Sequence, residues 1–567
     1  MSIPRPEHPK PQFQRESWQN LNGWWDFAFD FGNSGVARGL AARDAVLQDK
    51  ILVPFCPESS LSGIGYTDFI PACWYQRHVT LTEDDCAGRL FLHFGAVDYY
   101  SEVYVNGQLA GTHKGGFVSF THDITAFVTP GDNVITVRAV DDSRDPMTPS
   151  GKQSRRYESY GCYYTRTTGI WQTVWLEVVP AAHIKKSHYL TDIDAGTLTV
   201  TTDLAGEETL TVRAYYEGKF MGEAVTQRAR GQVIQTIQLA EKHLWEPGHG
   251  RLYDLELTFG DDRVKSYFGL RKLELDGHKF RINGKSVFQR LILDQGFYPD
   301  GIYTAPTDEA LERDITMAME MGFNGARPHE KIFEERYFYH CDRLGYLVWG
   351  EFPNWGLDHS DPVSIYGFLP EWLEEMDRDR DHPSIVGWCP FNETWDQNGR
   401  KQYDDLLRHI YRVTKAVDPS RPCIDVSGGY HVESDIYDVH DYEQDTEEFH
   451  SHYTALPGTD IFDRLAPRQK YTGGIFFVSE YGGIGWSVDD SGWSYGQGPR
   501  TEEEFKARFK ALTDTLLDNP YIFGMCYTQL TNVEQEQNGL YTYDRRAKFD
   551  PAWVASVVGR KAAIEEN

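Results

Sequence analysis

The chain of 567 residues contains no long apolar run: none approaches the roughly 18 consecutive apolar residues of a membrane-spanning helix. It is also poor in positive charge, because 56 Lys and Arg stand against 85 Asp and Glu and leave a formal net charge of −29. Proteins that bind nucleic acid or anionic membranes normally carry a basic stripe. We therefore expect neither nucleic acid nor a membrane as a partner.

Targeting and metal-binding signals are also missing. Residues 1–16 have no apolar core of the kind that secretory signal peptides need, so we expect a cytoplasmic protein. The eight cysteines include no CxxC pair, and we interpret them as free thiols. His450 and His452 are close together, but their polar stretch offers no framework of further ligands. We predict a surface loop there rather than a metal site.

Nucleotide-binding loops are absent as well, since the chain has neither GxGxxG nor GxxxxGK[ST], and it has no HExxH zinc motif. We predict no cofactor. Aromatic residues, in contrast, are abundant: 33 Tyr, 31 Phe and 15 Trp make up 14% of the chain. Flat aromatic faces suit sugar rings, although composition alone is explained more simply by large β-rich cores.

The first half of the chain has the pattern of β-structure. Residues 1–180 contain runs that alternate apolar and polar side chains, and Asn106-Gly107 between two such runs predicts a hairpin. Several short strands with Gly and Asn turns indicate a sandwich. Residues 181–273 contain further strands at short, regular spacing, which predicts one small immunoglobulin-like sandwich.

The pattern changes near residue 274, where strands begin to alternate with helices. Residues 308–321 place Leu311, Ile315, Ala318 and Met319 on one helical face. We count eight strand candidates over residues 274–567, from VFQRLIL to IFGMCYTQL and including CIDVSG at 423–428. Alternation over this length predicts a parallel sheet closed into a (β/α)8 TIM barrel.

Two of these strands end in glutamate. Glu393 follows the fourth strand candidate and Glu480 the seventh. A carboxylate directly after an apolar run is costly unless it is paired or used. Each glutamate alone is explained equally well by a structural role, but barrel enzymes carry their chemistry at the carboxyl ends of the strands. Together the two predict an acid/base and nucleophile pair.

The segments WCPFNETW and FVSEYGG resemble the two catalytic signatures of glycoside hydrolase family 2, which contains β-galactosidases, β-glucuronidases and β-mannosidases. WQNLNGWWDFAFD, VPFCPES and YTRTTGIWQTVWLE resemble its N-terminal sugar-binding jelly roll. HLWEPGHGRLYDLELTF, GLRKLELDGHKFRINGK and NGLYTYDRRAK resemble its immunoglobulin-like domain, the junction with the barrel and the stretch after the last strand. The resemblance implies a jelly roll over 1–180, an immunoglobulin-like sandwich over 181–273 and a catalytic TIM barrel over 274–567.

The resemblance also implies roles for single residues. Glu393 becomes the general acid/base and Glu480 the nucleophile of a retaining mechanism, which needs carboxyl groups about 5 Å apart. Asn392 is expected to bind the sugar 2-hydroxyl. Arg327 resembles the Arg beneath the nucleophile, with a structural salt bridge as the alternative, and Tyr442 resembles the Tyr that donates to it.

Further residues are expected to reach the sugar. His329 resembles a sugar-contacting His, although its spacing from Arg327 is one residue shorter than in many members. For some of the remaining candidates a packing role stays open. These candidates are Asp294, Glu351, Trp355, Trp395, His440 and Asp441.

Departures from the family patterns bear on metal and substrate. GEFPNWG replaces the metal-binding IETHG-type segment of some β-galactosidases, so we predict no catalytic metal. EQEQNGL lacks the Asn-x-Lys that grips a uronic acid, LDQGF replaces an RHE-type segment, and YYTRTTG lacks the Asp of the best-known galactosidases.

We predict an exo-acting, retaining β-glycosidase, with β-galactosidase as the first candidate. Hydrolysis of a β-glucoside, a β-mannoside or an α-L-arabinopyranoside is the alternative, and β-glucuronidase activity ranks behind these. A catalytically silent carbohydrate-binding protein is the rival from another class. The expected partner is a carbohydrate with a terminal β-linked sugar, and a homo-oligomer is compatible with the sequence.

Overall fold

The computed structural model describes residues 3–397, 399–466, 468–486 and 492–565. Its first unit is a pair of antiparallel sheets with a shared core that includes Trp25, Leu92, Val137 and Leu176. The larger sheet has the order β3-β2-β4-β10-β7-β8, the smaller β1-β12-β5-β9, and β6 pairs with β11. The strands β1 to β12 span, in chain order, Trp18–Asn20, Gly23–Phe29, Asp49–Val53, Ala72–Leu81, Arg89–Phe94, Val97–Asp98, Tyr100–Val105, Gln108–Lys114, Phe120–Asp123, Gly131–Val140, Gly169–Ile170 and Val174–Val179.

The predicted hairpin is present between β7 and β8. Val105 pairs with Gln108, and the two turn residues Asn106 and Gly107 both have positive φ, of 52° and 80°. Asn and Gly tolerate this conformation better than other residues, which is why the dipeptide predicts a two-residue turn.

The second unit is a five-stranded antiparallel sheet that wraps around its own core. Its strands β13 to β17 span His183–Asp192, Thr197–Tyr216, Lys219–Gln238, Tyr253–Phe259 and Asp262–Phe268. β14 pairs with β15 along its whole length, with β13 over its first half and with β16 over its second half. Its register with β15 shifts between Asp203 and Glu207. Alternate side chains such as Leu198, Val200 and Val212 face the core, which is the immunoglobulin-like arrangement that the alternation predicts.

A small meander, β18 to β20, leads into the barrel, and its strands span Leu273–Asp276, Lys279–Ile282 and Lys285–Ser286. The barrel sheet is parallel and has the order β24-β23-β22-β21-β27-β26-β25. Its strands β21 to β27 span Gln289–Asp294, Gly325–Pro328, Leu347–Glu351, Ile385–Cys389, Tyr437–Asp441, Phe476–Gly482 and Ile522–Thr528. The helices α1 to α7 span Asp308–Glu320, Glu335–Leu344, Ile365–Asp379, Asp404–Val417, Thr446–Ser451, Glu502–Leu517 and Pro551–Val558.

The helices begin and end at recognisable signals. In α1, Thr307 caps the first turn by accepting a hydrogen bond from the Ala310 amide, and Leu311 and Ile315 are buried as the periodicity predicts. α2 ends at Gly345, which adopts a left-handed φ of 69°. No helix of the described residues is long and apolar enough to span a membrane, and all eight cysteines are free thiols.

One predicted strand is wrong. The segment 423–428 lies in the gap between β24 and β25, but it forms only isolated parallel bridges, from Cys423 to Trp388 and from Ser427 to Asn392. On the side that faces β25, a side chain takes the place of strand-to-strand hydrogen bonds. The Asp438 carboxylate accepts from both the Ser427 hydroxyl and the Gly428 amide. The described sheet therefore has seven strands, and this segment fills the eighth place.

The predicted surface loop around His450 and His452 is also wrong. His450 lies in α5, and His452 is the residue at the C-terminal end of that helix. The missed signal is Asp445, whose side chain caps α5 by accepting from the amides of Glu447 and Glu448. His452 Nδ1 lies 2.7 Å from an Asp441 carboxylate oxygen, so this histidine fixes the helix to the end of β25.

Candidate active site

The carboxyl-terminal edge of the barrel brings together side chains from four strand ends. Arg327 comes from β22, Glu393 follows β24, His440 comes from β25 and Glu480 from β26. One ligand atom each of Glu393, His440 and Glu480 lies within 4.8 Å of the others. The two predicted glutamates therefore converge as parallel strands require, since their carboxyl ends meet at one edge of the barrel.

Glu480 is surrounded by hydrogen-bond donors. Its Oε1 accepts from Arg327 Nη1 at 3.2 Å, and its Oε2 accepts from the Tyr442 hydroxyl at 2.5 Å. His440 Nδ1 lies 3.3 Å from the same Oε2. The side chain is almost fully buried, so these partners replace water and hold the carboxyl group in one orientation.

Arg327 connects the nucleophile candidate to its supports. Its Nη1 also donates to the Ser479 carbonyl at 2.8 Å, and its Nη2 donates to Glu351 Oε2 at 2.5 Å and to Asn392 Oδ1 at 3.1 Å. A buried guanidinium with this many fixed acceptors holds their geometry, since its five N–H groups form a rigid fork. The position beneath Glu480 agrees with the one that the resemblance implies.

Glu351 lies beneath the site and does not contact the catalytic carboxylates in the described structure. Its Oε1 lies 2.8 Å from His329 Nδ1, and its Oε2 holds Arg327. Burial raises the pKa of Glu351, but the charges of Arg327 and His329 outweigh it and lower that pKa to about 2. Burial lowers the pKa of His329. Glu351 thus acts as a fixed anion that orients both of its neighbours.

Glu393 adopts a left-handed φ of 42°, which is costly for a residue with a side chain. Its amide is held by the Ser427 carbonyl at 2.9 Å, and its Oε1 accepts from His440 Nδ1 at 2.7 Å and from Arg464 Nη2 at 3.0 Å. Burial raises the pKa of Glu393, but His440 and then Arg464 lower it below its ordinary value. The free site therefore favours the carboxylate form.

His440 is oriented by a chain of buried polar groups. Its Nε2 lies 3.0 Å from the Ser427 hydroxyl, which donates to Asp438 Oδ2 at 2.8 Å. Asp438 Oδ1 in turn lies 3.2 Å from His431 Nε2. The other ring nitrogen of His440, Nδ1, faces the carboxyl groups of both Glu393 and Glu480, so this histidine bridges them.

Asn392 and two tryptophans form the wall beside Glu393. The Asn392 amide donates to Asn354 at 2.7 Å, and its carbonyl accepts from the Trp355 indole at 3.1 Å. The Trp355 ring is 5.3 Å from that of Trp395, which is 37% exposed. Trp395 is thus open to a ligand, whereas Trp355 is nearly covered.

Two predicted sugar ligands point elsewhere in the described structure. Asp294 is buried, accepts from the Gly296 amide at 2.9 Å, and has a pKa that burial raises to about 7. Asp441 accepts from His452 and from the Tyr453 hydroxyl, each at 2.7 Å, and so anchors α5. Neither contacts Glu393 or Glu480.

The sequence analysis did not identify Arg464 and Tyr495 as residues of the site. Arg464 lies in an irregular segment and reaches Glu393 across the cleft, and no local pattern predicts that contact. Tyr495 stacks on Tyr442 with ring centres 3.7 Å apart. Both belong to segments without regular structure, where periodicity carries no information.

Three family models match the chain in the order of its domains. They are described as glycosyl hydrolases family 2, sugar binding domain, over residues 18–177, glycosyl hydrolases family 2 over 182–271, and glycosyl hydrolases family 2, TIM barrel domain, over 274–456. Together they cover more than half of the chain. The chain belongs to glycoside hydrolase family 2.

Similar proteins carry two activity names. A β-galactosidase of Thermoanaerobacter pseudethanolicus is 28% identical over 63% of this chain and 48% of its own length. A β-glucuronidase of Canis lupus familiaris is 26% identical over 73% of this chain and 69% of its own. The chain thus spans about half the length of the first of these relatives.

Solved structures confirm the fold. An uncultured Clostridium sp. β-glucuronidase superposes with a TM-score of 0.80 at 21% identity, covering 96% of this chain and 99% of that one. A β-glucuronidase from Ruminococcus gnavus in complex with D-glucuronic acid gives 0.79 at 18% identity, with the same coverages. At this identity the likeness extends to the architecture of all three domains and not to the substrate.

Proposed function

We propose that this protein is an exo-acting, retaining β-glycoside hydrolase with Glu480 as nucleophile and Glu393 as general acid/base. The observation that carries the proposal is the approach of one oxygen of each carboxylate to within 4.8 Å. Retaining enzymes hold their carboxyl groups about 5–5.5 Å apart, whereas inverting enzymes need roughly 6.5–9.5 Å to admit a water molecule.

Each glutamate has the environment that its step requires. Glu480 is oriented by hydrogen bonds from Arg327 and Tyr442, and in this proposal it attacks the anomeric carbon and forms the covalent glycosyl intermediate. Glu393 gives its proton to the leaving oxygen and then removes a proton from the water that hydrolyses the intermediate. The carboxylate form that the free site favours is the form that the second of these steps requires.

The first step needs a protonated Glu393, and Arg464 opposes it. This arginine is 40% exposed and holds Glu393 from the open side of the cleft. A bound glycoside that displaces Arg464 removes one of the charges that stabilise the carboxylate, and the nearby negative charge of Glu480 then favours the protonated form. We infer that substrate binding itself prepares the acid.

We propose a neutral terminal sugar, first of all a β-galactoside, as the substrate. The region in which the Asn-x-Lys is not evident reads EQEQNGL over 534–540, and within it the buried Glu536 carboxyl group accepts from Tyr164 and from Asn538. A carboxylate at this position repels the carboxylate of a uronic acid. The retained pair of catalytic glutamates argues against a silent carbohydrate-binding protein, which has no need of them.

Trapping of the nucleophile tests the mechanism. A 2-deoxy-2-fluoro-β-glycoside should accumulate as an adduct on Glu480, because fluorine slows both steps of the reaction. Glu480→Gln should lose about 10³-fold or more in kcat while binding is retained, and the exposed Glu447→Gln should behave as wild type. Proton NMR should detect the β-anomer as first product. An α-anomer or an adduct on another residue contradicts the mechanism.

A panel of nitrophenyl glycosides tests the substrate. Turnover of the β-galactoside above the β-glucoside, β-mannoside, α-L-arabinopyranoside and β-glucuronide is expected. The β-glucuronide as the best substrate would contradict the neutral-sugar proposal. Absence of turnover on the whole panel would favour the silent binding protein.

A further inference from the structure

The segment 150–165 of the N-terminal jelly roll packs against the carboxyl-terminal edge of the barrel. The amides of Ser150 and Gly151 donate to the Trp355 carbonyl at 2.7 and 3.0 Å. At the other end of the segment, Gln535 Nε2 donates to the carbonyls of Gly161 and Tyr163 at 2.8 and 3.0 Å. The wall of the pocket is therefore built by two domains together.

This segment places one lysine next to the site. Lys152 is 3% exposed, and its Nζ lies 3.8 Å from the centre of the Trp355 ring. Among the described residues the ammonium has no hydrogen-bond acceptor and no ion-pair partner within bonding distance. A buried ammonium normally needs acceptors, because the aromatic face alone replaces only part of its hydration.

Buried Lys331 and half-buried Lys548 provide a comparison, because the ammonium group of each has a structural role. Lys331 Nζ donates to the carbonyls of Gly296 and Tyr303 at 2.5 and 2.8 Å. Lys548 Nζ donates to two carbonyls at 2.8 and 3.0 Å. Both are satisfied by the backbone. Lys152 differs from them because no protein group in the described structure accepts a hydrogen bond from its ammonium, which is therefore available to a ligand.

The position of Lys152 relates it to the catalytic pair. The Trp355 indole beneath it donates to the carbonyl of Asn392, the residue directly before Glu393. The charge of Lys152 is one of the causes that lower the pKa of Glu393. The ammonium and the acid/base are thus separated by a single aromatic residue at the same edge of the barrel.

The pKa of Lys152 lies above its ordinary value. Burial lowers this pKa, but the nearby acidic groups of Cys162, Glu536 and Glu330 outweigh the effect of burial. None of these groups forms a salt bridge with the ammonium in the described structure. A charged donor held in place without an acceptor is suited to a polar ligand that arrives from the cleft.

We propose that Lys152 is a specificity-determining residue that crosses the domain boundary and donates a hydrogen bond to an oxygen substituent of the terminal sugar. The inference rests on the proposed function, and it adds a residue whose side chain recognises one substituent of the sugar. The recognised oxygen belongs to a hydroxyl if the sugar is neutral and to the carboxylate if it is a uronic acid. A site with an unsatisfied buried donor rejects an analogue that lacks the matching oxygen.

The test compares Lys152→Met with wild type on nitrophenyl sugars that differ by single oxygens. Methionine keeps the apolar stem over Trp355 and removes the donor. The neutral series consists of the β-D-galactoside, its 3-, 4- and 6-deoxy analogues and the α-L-arabinopyranoside, which lacks C6. The acidic arm pairs the β-glucuronide with the β-glucoside. We expect kcat/KM to fall about 100-fold on the parent sugar and less than about threefold on the analogue without the recognised oxygen.

Lys114→Met is the matched control, because Lys114 lies 5.8 Å over the Tyr99 ring on the surface of the same domain. It should leave every rate unchanged. Lys152→Leu, which also lacks a donor, serves if the methionine variant does not fold, provided that its melting temperature is unchanged. An equal loss on all sugars, or a loss that depends on the leaving group instead, overturns the proposal. If wild type hydrolyses none of the panel, the proposed function fails first and this inference with it.

Discussion

Glu480 and Glu393 share His440 as a neighbour, and their other partners separate their roles. Glu480 is held by Arg327 and Tyr442, which are buried or half-buried and belong to the barrel strands and the residue after them. Glu393 is held by Arg464, whose side chain is 40% exposed. A nucleophile needs a constant charge, whereas an acid/base must exchange protons, and the two sets of partners match this difference.

Replacement of the acid/base should depend on the leaving group. Glu393→Ala should reduce kcat about 10³-fold on a disaccharide, which needs protonation, and far less on a dinitrophenyl glycoside, which does not. Azide should restore turnover and yield a β-glycosyl azide. Near-normal hydrolysis of the disaccharide by Glu393→Ala would exclude this residue as the acid.

Two elements join the jelly roll to the barrel. The segment 150–165 contacts Trp355, and α3 presents Glu371 to the first domain, where its Oε1 accepts from the Phe117 amide at 2.7 Å. Both contacts bury polar groups between domains. The contribution of each contact to stability can be measured, because a single substitution, at Gly151 or at Glu371, disrupts it.

Gly151 is the point of closest approach between segment and barrel. Its φ is 54°, and a Cβ there would lie 2.2 Å from the Glu330 carbonyl oxygen. Gly161 has nearly the same φ, 52°, but open space around it. Gly151→Ala should therefore lower the melting temperature and reduce kcat/KM at least about tenfold. Gly161→Ala should cost only the strain of about 1 kcal/mol. Equal effects of the two changes would show that the contact does not matter.

Glu371 should make stability depend on pH. Burial, with a smaller contribution from Glu374, raises the pKa of Glu371 from 4.5 to about 8. Its stabilising effect is complete below pH 4.5 and is lost as the pH rises toward 8, because folding then keeps a proton that the unfolded chain has released.

Glu371→Gln cannot titrate, so its melting temperature should rise relative to wild type between pH 5 and 8 and then level off. Each unit of pKa shift corresponds to about 1.4 kcal/mol, so the difference should reach several degrees. The exposed Glu309→Gln is the control. A difference that does not change with pH would mean that Glu371 is ionised throughout.

At the scale of the molecule, the candidate site lies where the jelly roll meets the carboxyl-terminal edge of the barrel. The barrel supplies the catalytic carboxylates, and the jelly roll closes the side where Lys152 lies. The immunoglobulin-like unit contributes no residue to the catalytic cluster of the described structure. A pocket closed on one side favours a terminal sugar, which is the basis for the exo-acting proposal.

Activity should not depend on a metal ion. Glu393, His440 and Glu480 are close enough to hold a cation, but the carboxylates are already bonded to Arg464, Arg327 and other donors. The two-carboxylate mechanism needs no metal ion. After dialysis against EDTA, kcat/KM should stay within about twofold of the untreated protein. Loss of activity that Mg²⁺ or Mn²⁺ restores would reveal a catalytic metal.

Local sequence patterns determined the elements of this protein and the position of its main chemistry. The periodicity of α1, the Asn106-Gly107 turn and the alternation of strands with helices each depend on residues a few positions apart. The convergence of Glu393 and Glu480 also followed, because every parallel strand of a barrel ends at the same edge.

Only the tertiary structure decided which side chains complete the site. Lys152 meets Trp355, and Arg464 meets Glu393, through contacts between segments that no periodicity relates. The segment 423–428 lost its strand pairing to the Asp438 side chain, and Asp294 turned away into the core. The physical reason is the same in each case: a pattern along the chain fixes backbone geometry, whereas the pairing of buried polar groups depends on which distant segments pack together.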